Sequence, residues 1–213
     1  RRDQRGETML LMRTRLFGNT NLSVSEYGIG TWAMGGGMYG VVDDEQSIRA
    51  IHRAKALGVN LIDTAPMYGI GQNKDGRAEE VVGKALAGRR DQFVICTKYG
   101  RHLTGREPLW ENLHNDWSSA QAAKSLEESL TRLKTDYIDV LFVHSPPASG
   151  WNPQDAIDGM LRLKKQGKIR VIGFSFWQSV ADTLGQVEPF MRSGELQAVQ
   201  VILSLLQCEA ATS

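Results

Sequence analysis

The stretch VVDDEQSIRAIHRAKALGVNLIDTAPMYG, residues 41–69, contains the pattern that decides the fold. Apolar side chains recur at helical spacing from Ile48 to Leu57, and Gly58 then ends the predicted helix. The apolar run that follows indicates a strand ending at Asp63, with Tyr68 on the loop beyond it. A carboxylate at the end of a buried strand is seldom needed for packing, so this helix–strand unit predicts a functional residue at the strand's carboxyl end.

The same unit recurs along the chain. The predicted strands are the apolar runs YGIGTW, LIDTA, FVICTK, YIDVLFVH, IRVIGFS and AVQVILSLL. Between them, helical spacing predicts helices that include residues 77–87, 153–166 and 179–192, and one carrying Leu126, Leu130 and Leu133. Because the strand runs are continuously apolar rather than alternating, we expect parallel strands that are covered by helices on both faces.

Two architectures fit six strands that alternate with five helices, a doubly wound open sheet and a (β/α)8 barrel. No G-x-G-x-x-G sequence follows the first strand, which argues against a dinucleotide-binding open sheet. Polar residues instead end or lie within five strands: Asp63, Lys98, His144, Ser175 and Gln200. Barrels place their active sites at this edge, so we predict the first six strands of a TIM-type (β/α)8 barrel, preceded by an N-terminal β-hairpin over residues 13–25.

Composition fits an ordinary globular domain of 213 residues with 41% hydrophobic residues and a net charge of +1. This charge gives no reason to expect nucleic acid or an anionic membrane as a partner, and no apolar run reaches the length that spans a bilayer. The two cysteines suggest no disulfide framework, so we expect a cytoplasmic protein. We interpret residues 1–12 as a disordered lead-in to one domain over residues 13–213; the sequence leaves the oligomeric state open.

Four of these polar residues have a joint chemical meaning. Alone, Asp63, Tyr68, Lys98 and His144 could each be a structural residue at the end of a strand. Together they form a proton donor, because an ammonium favours the phenolate and lowers a tyrosine's pKa, while a carboxylate holds the lysine in place. A histidine opposite can donate a hydrogen bond to a carbonyl oxygen. This combination suits reduction of a C=O group by an external hydride source.

The motifs YGIGTW, GVNLIDTAPMYG, AEEVVGKAL, FVICTKYG, YIDVLFVH and GKIRVIGFS resemble the aldo-keto reductase family in order, spacing and residue type, over roughly residues 14–200. The resemblance implies a (β/α)8 barrel that uses NADPH to reduce aldehydes and ketones. It implies Tyr68 as general acid, Lys98 as the modulator of its pKa, Asp63 as the partner of the lysine, and His144 as the residue that orients the substrate. It implies a small carbonyl substrate. The sequence contains no H-x-H or H-E-x-x-H motif, so we expect no metal site.

The resemblance also implies cofactor contacts from four residues: Thr31, Trp32, Ser175 and Gln200. Two family features are absent. Phe176 stands where the family usually has asparagine after the fifth strand, and Leu203 stands where a tyrosine often stacks on the nicotinamide. We therefore expect weak cofactor binding or none, and the more so because we expect the last two β/α units of the barrel to be missing.

Three readings remain open from the sequence. The chain is an NADPH-dependent carbonyl reductase, a non-catalytic regulatory or binding protein on the same scaffold, or an incomplete barrel without a stable fold, because an open sheet exposes strand edges. We expect residues 100–116 to be a long loop. On that loop, His102 and His114 are either solvated or at a substrate entrance.

Overall fold

The computed structural model describes residues 12–36, 40–69, 75–104, 113–177 and 180–202. The strands, in chain order, are β1 (Thr14–Leu16), β2 (Ser23–Ser25), β3 (Gly28–Gly30), β4 (Leu61–Asp63), β5 (Val94–Tyr99), β6 (Arg101–Leu103), β7 (Leu113–Asn115), β8 (Ile138–His144), β9 (Ile169–Ser175) and β10 (Ala198–Gln200). The helices are α1 (Asp44–Ala56), α2 (Arg77–Ala85), α3 (Ser119–Leu133), α4 (Pro153–Lys165) and α5 (Val180–Ser193).

The main sheet has six parallel strands in the order β3-β4-β5-β8-β9-β10, which is also their order along the chain. A doubly wound sheet reverses its strand order at a switch point, and this sheet has no reversal. The predicted barrel order is therefore confirmed for these six strands. The predicted N-terminal hairpin is confirmed as well, because β1 and β2 pair antiparallel.

The sheet is strongly curved. The amide Nε2 of Gln200 in β10 lies 3.2 Å from Oδ1 of Asp63 in β4. These strands are four positions apart in the sheet, which in a flat sheet would separate them by about 19 Å. The contact requires the sheet to curl like part of a barrel wall, so side chains from its two ends meet on the inner side.

Helix starts follow from local capping. The Asp43 carboxylate accepts a hydrogen bond from the Gln46 amide at the start of α1, and the Ser118 hydroxyl accepts one from the Gln121 amide at the start of α3. Pro153 occupies the first turn of α4, as predicted. The helices bury one face against the sheet, and the leucines predicted for α3 are all in the core: Leu126, Leu130 and Leu133.

A buried charge pair fixes two helices against the strand that carries Lys98. The Arg132 guanidinium of α3 donates to the Glu79 carboxylate of α2 at 2.7 Å, and the Thr97 hydroxyl of β5 donates to the same carboxylate at 2.6 Å. Glu79 is fully buried, so both bonds satisfy a charge that water cannot reach. The position of β5 is thereby tied to both helices.

The prediction of a long loop over residues 100–116 was wrong, because β6 and β7 form an antiparallel hairpin there. The residues between these strands, 105–112, lie outside the described part of the chain. Three-residue strands are too short to give a period-2 signal in the sequence. Gly100 allows the chain to turn from β5 into β6: its φ is +106°, and a Cβ there would lie 2.2 Å from the Trp117 ring.

Two other predictions fall partly outside the described residues. Most of the predicted disordered lead-in, residues 1–11, is not described, and neither is the end of the last predicted strand, which includes Leu203. The described part of that strand is β10. Within the described ranges, no helix is both long and apolar enough to cross a bilayer.

Candidate active site

Three neighbouring strands bring the predicted catalytic side chains to one end of the sheet. Asp63 ends β4, Lys98 is the penultimate residue of β5, and His144 ends β8. The register aligns these ends, because Asp63 pairs with Cys96 and Lys98 pairs with Phe142. All three residues therefore lie at the carboxyl edge of the sheet, and Tyr68 follows β4 on the next loop.

The Lys98 ammonium is the centre of the cluster. Its Nζ lies 2.8 Å from each carboxylate oxygen of Asp63, 3.0 Å from the Thr64 carbonyl oxygen and 3.0 Å from the Tyr68 hydroxyl. Lys98 is 1% exposed, so these acceptors replace nearly all of its hydration. Burial acts to lower the pKa of Lys98, but Asp63 and Tyr68 together raise the pKa above its ordinary value. The lysine is therefore charged at neutral pH.

Tyr68 is held by its own backbone. The Tyr68 amide donates to the Ala65 carbonyl, and the Tyr68 carbonyl accepts from the Ala78 amide at the start of α2. Gly35 packs directly against this carbonyl, so that a Cβ on Gly35 would lie 2.2 Å from the Tyr68 oxygen. The loop is thus fixed from both sides, and it points the phenol at Lys98.

The expected depression of the tyrosine pKa is not what the structure gives. Burial raises the pKa of Tyr68 above its ordinary value of 10.0, and the Lys98 charge acts in the opposite direction without overcoming it. The prediction considered the ammonium and left out desolvation, since burial cannot be read from the sequence. Tyr68 is therefore a protonated phenol at neutral pH, with a cation beside its oxygen.

His144 faces the phenol. Its ring is edge-on to the Tyr68 ring with centroids 6.2 Å apart, and its backbone carbonyl accepts a hydrogen bond from Trp117 Nε1 at 3.0 Å. Burial and the charge of Lys98 lower the pKa of His144 well below its ordinary value of 6.5. Its Nδ1 atom is buried and has no hydrogen-bond partner among the described residues. The ring is therefore a neutral imidazole that can donate one N–H.

The two cofactor candidates on the later strands form a polar line into the cluster. The Ser175 hydroxyl donates to Gln200 Oε1 at 2.8 Å, and Gln200 Nε2 donates to Asp63 Oδ1 at 3.2 Å. Gln200 lies beside the Lys98–Asp63 pair and Ser175 lies beside Gln200, so together they offer a hydroxyl and an amide group. A ligand carboxamide, with one acceptor and two donors, matches this set.

The other two cofactor candidates lie on the β4 side of the cluster. Thr31 is fully buried, and its hydroxyl donates to the Asp63 carbonyl, so it supports the backbone at Asp63. The Trp32 ring packs on Tyr68 with centroids 5.2 Å apart and on the exposed Trp177 at 6.3 Å. These rings form an aromatic wall beside the phenol.

A second cluster was missed by the sequence analysis, which placed His102 on a loop. His102 is buried in β6; its Nδ1 lies 3.0 Å from Asp75 Oδ2, and its Nε2 lies 2.9 Å from the Gln121 amide and 3.0 Å from the Ser125 hydroxyl. Asp75 also accepts from the Leu103 amide. This junction joins the β6–β7 hairpin to α3 and to the segment that follows Tyr68. No spacing in the sequence indicates it, because its members come from three separate elements.

Within the described ranges, no three His, Cys, Asp or Glu side chains are grouped so that they could bind a metal ion. The groups that the site does present, the Tyr68 phenol and the His144 imidazole, can transfer a proton and bind a carbonyl oxygen.

Comparison with known proteins gives a consistent result. A family model described as "Aldo/keto reductase family" matches residues 26–211. The aldo-keto reductase YhdN of Bacillus subtilis is 36% identical over 203 residues, covering 92% of this chain and 55% of the relative. The NADH-specific methylglyoxal reductase of Escherichia coli is 34% identical over 199 residues, covering 89% of this chain and 58% of the relative. The chain thus spans a little over half the length of these relatives.

Solved structures of aldo-keto reductase type have a similar fold. The glycerol dehydrogenase AKR11B4 from Gluconobacter oxydans superposes with a TM-score of 0.75 at 32% identity, covering 95% of this chain and 57% of that structure. The PA4992 structure, described as a putative aldo-keto reductase from Pseudomonas aeruginosa, superposes with a TM-score of 0.74 at 31% identity, covering 93% of this chain and 71% of that structure.

Proposed function

This chain belongs to the aldo/keto reductase family, and we propose that it is an oxidoreductase that reduces small aldehydes or ketones to alcohols with NADPH. The proposed proton donor is Tyr68, supported by Lys98 and Asp63, and His144 orients the substrate carbonyl. The relatives named as methylglyoxal reductase and glycerol dehydrogenase act on small oxygenated molecules, which supports this class of substrate.

One observation carries the proposal. A single buried ammonium, that of Lys98, is 3.0 Å from the Tyr68 hydroxyl and 2.8 Å from both oxygens of Asp63. A packed structural tyrosine has no need of a buried charge at its oxygen, because burying that charge costs free energy. A proton donor does need it, since the charge acts on the phenolate that forms after the proton leaves.

Three of these residues have separate roles in the proposed reaction. His144 donates an N–H to the carbonyl oxygen and fixes its position opposite the phenol. When bound, NADPH would supply the hydride for the reduction. As negative charge develops on the carbonyl oxygen, Tyr68 transfers its proton to that oxygen, and Lys98 stabilises the phenolate. The raised pKa of Tyr68 keeps the proton in place until then.

The residues at the ends of β9 and β10 fit a nicotinamide. The Ser175 hydroxyl contacts the Gln200 amide, which in turn contacts Asp63, so a carboxamide can exchange hydrogen bonds with both side chains. We assign Ser175 and Gln200 to this contact. Trp32 contributes an apolar wall beside Tyr68, and Thr31 acts through the backbone of Asp63.

The preference for NADPH over NADH is the finer part of the proposal. One relative is named as NADH-specific, so both cofactors belong in the test. The absence of an asparagine at Phe176 leads us to expect weak binding, and we expect fluorescence titration of the purified chain to give a lower dissociation constant for NADPH than for NADH. A lower constant for NADH would reverse the preference, and binding of neither would reject the proposal for this chain.

Turnover is the second measurement. We expect NADPH oxidation on addition of an aromatic aldehyde, and we expect Tyr68→Phe to lower kcat by roughly 10²–10⁴-fold, because it removes only the proton donor. Tyr27→Phe is the matched control, since Tyr27 is 72% exposed. Cofactor binding without turnover in the parent chain would instead favour a binding protein on this scaffold.

A further inference from the structure

The β6 strand presents an arginine on the same side as the candidate site. Side chains alternate along a strand, so Arg101 and Leu103 share one face while His102 lies on the other. Leu103 packs on the cluster that contains Tyr68 and Met67, and His102 faces α3. The face that carries Arg101 is therefore the face turned towards the phenol.

Arg101 is only partly exposed, and its charge has no counterion among the described residues. Three other shielded arginines each hold a carboxylate: Arg77 pairs with Asp44, Arg90 with Asp139 and Arg132 with Glu79. Within the described part of the chain, no acidic side chain forms such a pair with Arg101. Burial lowers the pKa of its guanidinium, with no neighbouring anion to oppose the shift. A partly desolvated guanidinium of this kind favours an anionic ligand.

Arg101 also lies near the end of β8. It is the first residue of β6 and follows Lys98 of β5 by three positions in the chain. Across the hairpin it is paired with Asn115. Directly opposed residues of a hairpin project to the same side, so an amide accompanies the guanidinium. The Arg101 charge contributes to the lowered pKa of His144, which fits this proximity.

We propose that Arg101 binds an oxyanion carried by the substrate, so that the preferred substrates are aldehydes or ketones that bear a carboxylate. This inference rests on the proposed reduction at Tyr68 and names its substrate class. A guanidinium binds a carboxylate or a phosphate through the same forked hydrogen bonds, so a phosphate of the cofactor is the competing source of the anion.

The test compares two aldehydes that differ in charge, 4-carboxybenzaldehyde and methyl 4-formylbenzoate. The parent chain is expected to prefer the carboxylate in kcat/KM. Arg101→Gln should lower kcat/KM for the carboxylate by about 10–100-fold through KM and leave the ester within about 2-fold, since one charge-assisted contact is lost. Arg101→Lys should recover part of this loss, and Arg49→Gln, on the exposed side of α1, should change neither.

Binding measurements keep this inference separate from the proposed reaction. If no variant turns over, the reaction is rejected, and titration with 4-(hydroxymethyl)benzoate against its methyl ester still decides whether Arg101 binds a carboxylate. Equal losses for both aldehydes in Arg101→Gln, or equal binding of acid and ester by the parent chain, would overturn the inference. A rise in the NADPH dissociation constant with an unchanged preference between the aldehydes would assign Arg101 to the cofactor and overturn it too.

Discussion

The Lys98 ammonium lies 2.8 Å from both carboxylate oxygens of Asp63, but the two partners differ in exposure. The lysine side chain is 2% exposed and the aspartate side chain is 24% exposed. Water can therefore solvate Asp63 if its partner is lost, whereas it cannot reach Lys98. Removal of one partner or of the other should have unequal effects on stability.

We expect Asp63→Asn to destabilise the fold by about 3 kcal/mol, because it leaves a buried ammonium without its carboxylate. Lys98→Met should lower the free energy of unfolding by less, since methionine fills a similar volume. Asp63 still accepts a hydrogen bond from the Gln200 amide and is partly solvated. Urea denaturation of both variants gives the two free energies of unfolding. The double variant should be more stable than Asp63→Asn alone; an equal or reversed order of the single variants would contradict the argument.

The second prediction concerns acid stability. Burial lowers the folded-state pKa of His144 below 6.5, so the unfolded chain binds a proton that the folded chain excludes. The stability that the neutral His144 contributes is complete above pH 6.5 and is lost as the pH falls below that value. The free energy of unfolding then falls with a slope that approaches about 1.4 kcal/mol per pH unit. We expect His144→Asn to reduce the loss of stability between pH 7.5 and pH 5.5.

The control for this experiment is His114→Asn, because His114 is exposed on β7. It should keep the pH dependence of the parent chain. Identical acid profiles for the parent and His144→Asn would show that His144 titrates normally.

A third prediction tests the junction at His102. Asp75 accepts hydrogen bonds from the His102 ring and from the Leu103 amide, so Asp75→Ala leaves two donors unsatisfied in a shielded place. We expect a loss of about 1–3 kcal/mol and faster amide exchange at residues 101–103 and 113–115. Asp91→Ala, at an exposed position, should change neither quantity. Unchanged exchange in the hairpin of Asp75→Ala would refute the proposed link.

The fourth prediction uses the contact between Gly35 and the Tyr68 loop. A methyl group on Gly35 would lie 2.2 Å from the Tyr68 carbonyl oxygen, so Gly35→Ala must displace this backbone. We expect a loss of about 1–3 kcal/mol together with reduced turnover, measured by denaturation and by NADPH oxidation. Gly185→Ala is the control, because that helical position has open space around it and alanine favours a helix. Full activity of Gly35→Ala would show that the loop tolerates displacement.

The sequence by itself determined the parallel strand–helix order and the strand ends that carry Asp63, Lys98 and His144. It could do so because these features depend on local periodicity, which each segment expresses without reference to the rest of the chain. The same local signals predicted the N-terminal hairpin and the buried face of α3. The roles of the candidate residues stay predictions.

Only the tertiary structure decided how far the sheet curls, which environment Tyr68 has, and that β6 and β7 pair. The Gln200–Asp63 contact joins residues 137 positions apart, and no periodicity encodes such a distance. The pKa of Tyr68 depends on how much water the fold removes, and this outweighs the Lys98 charge that the sequence did indicate. Burial and long-range contact arise when separate elements pack together, so they cannot be assigned from any one segment.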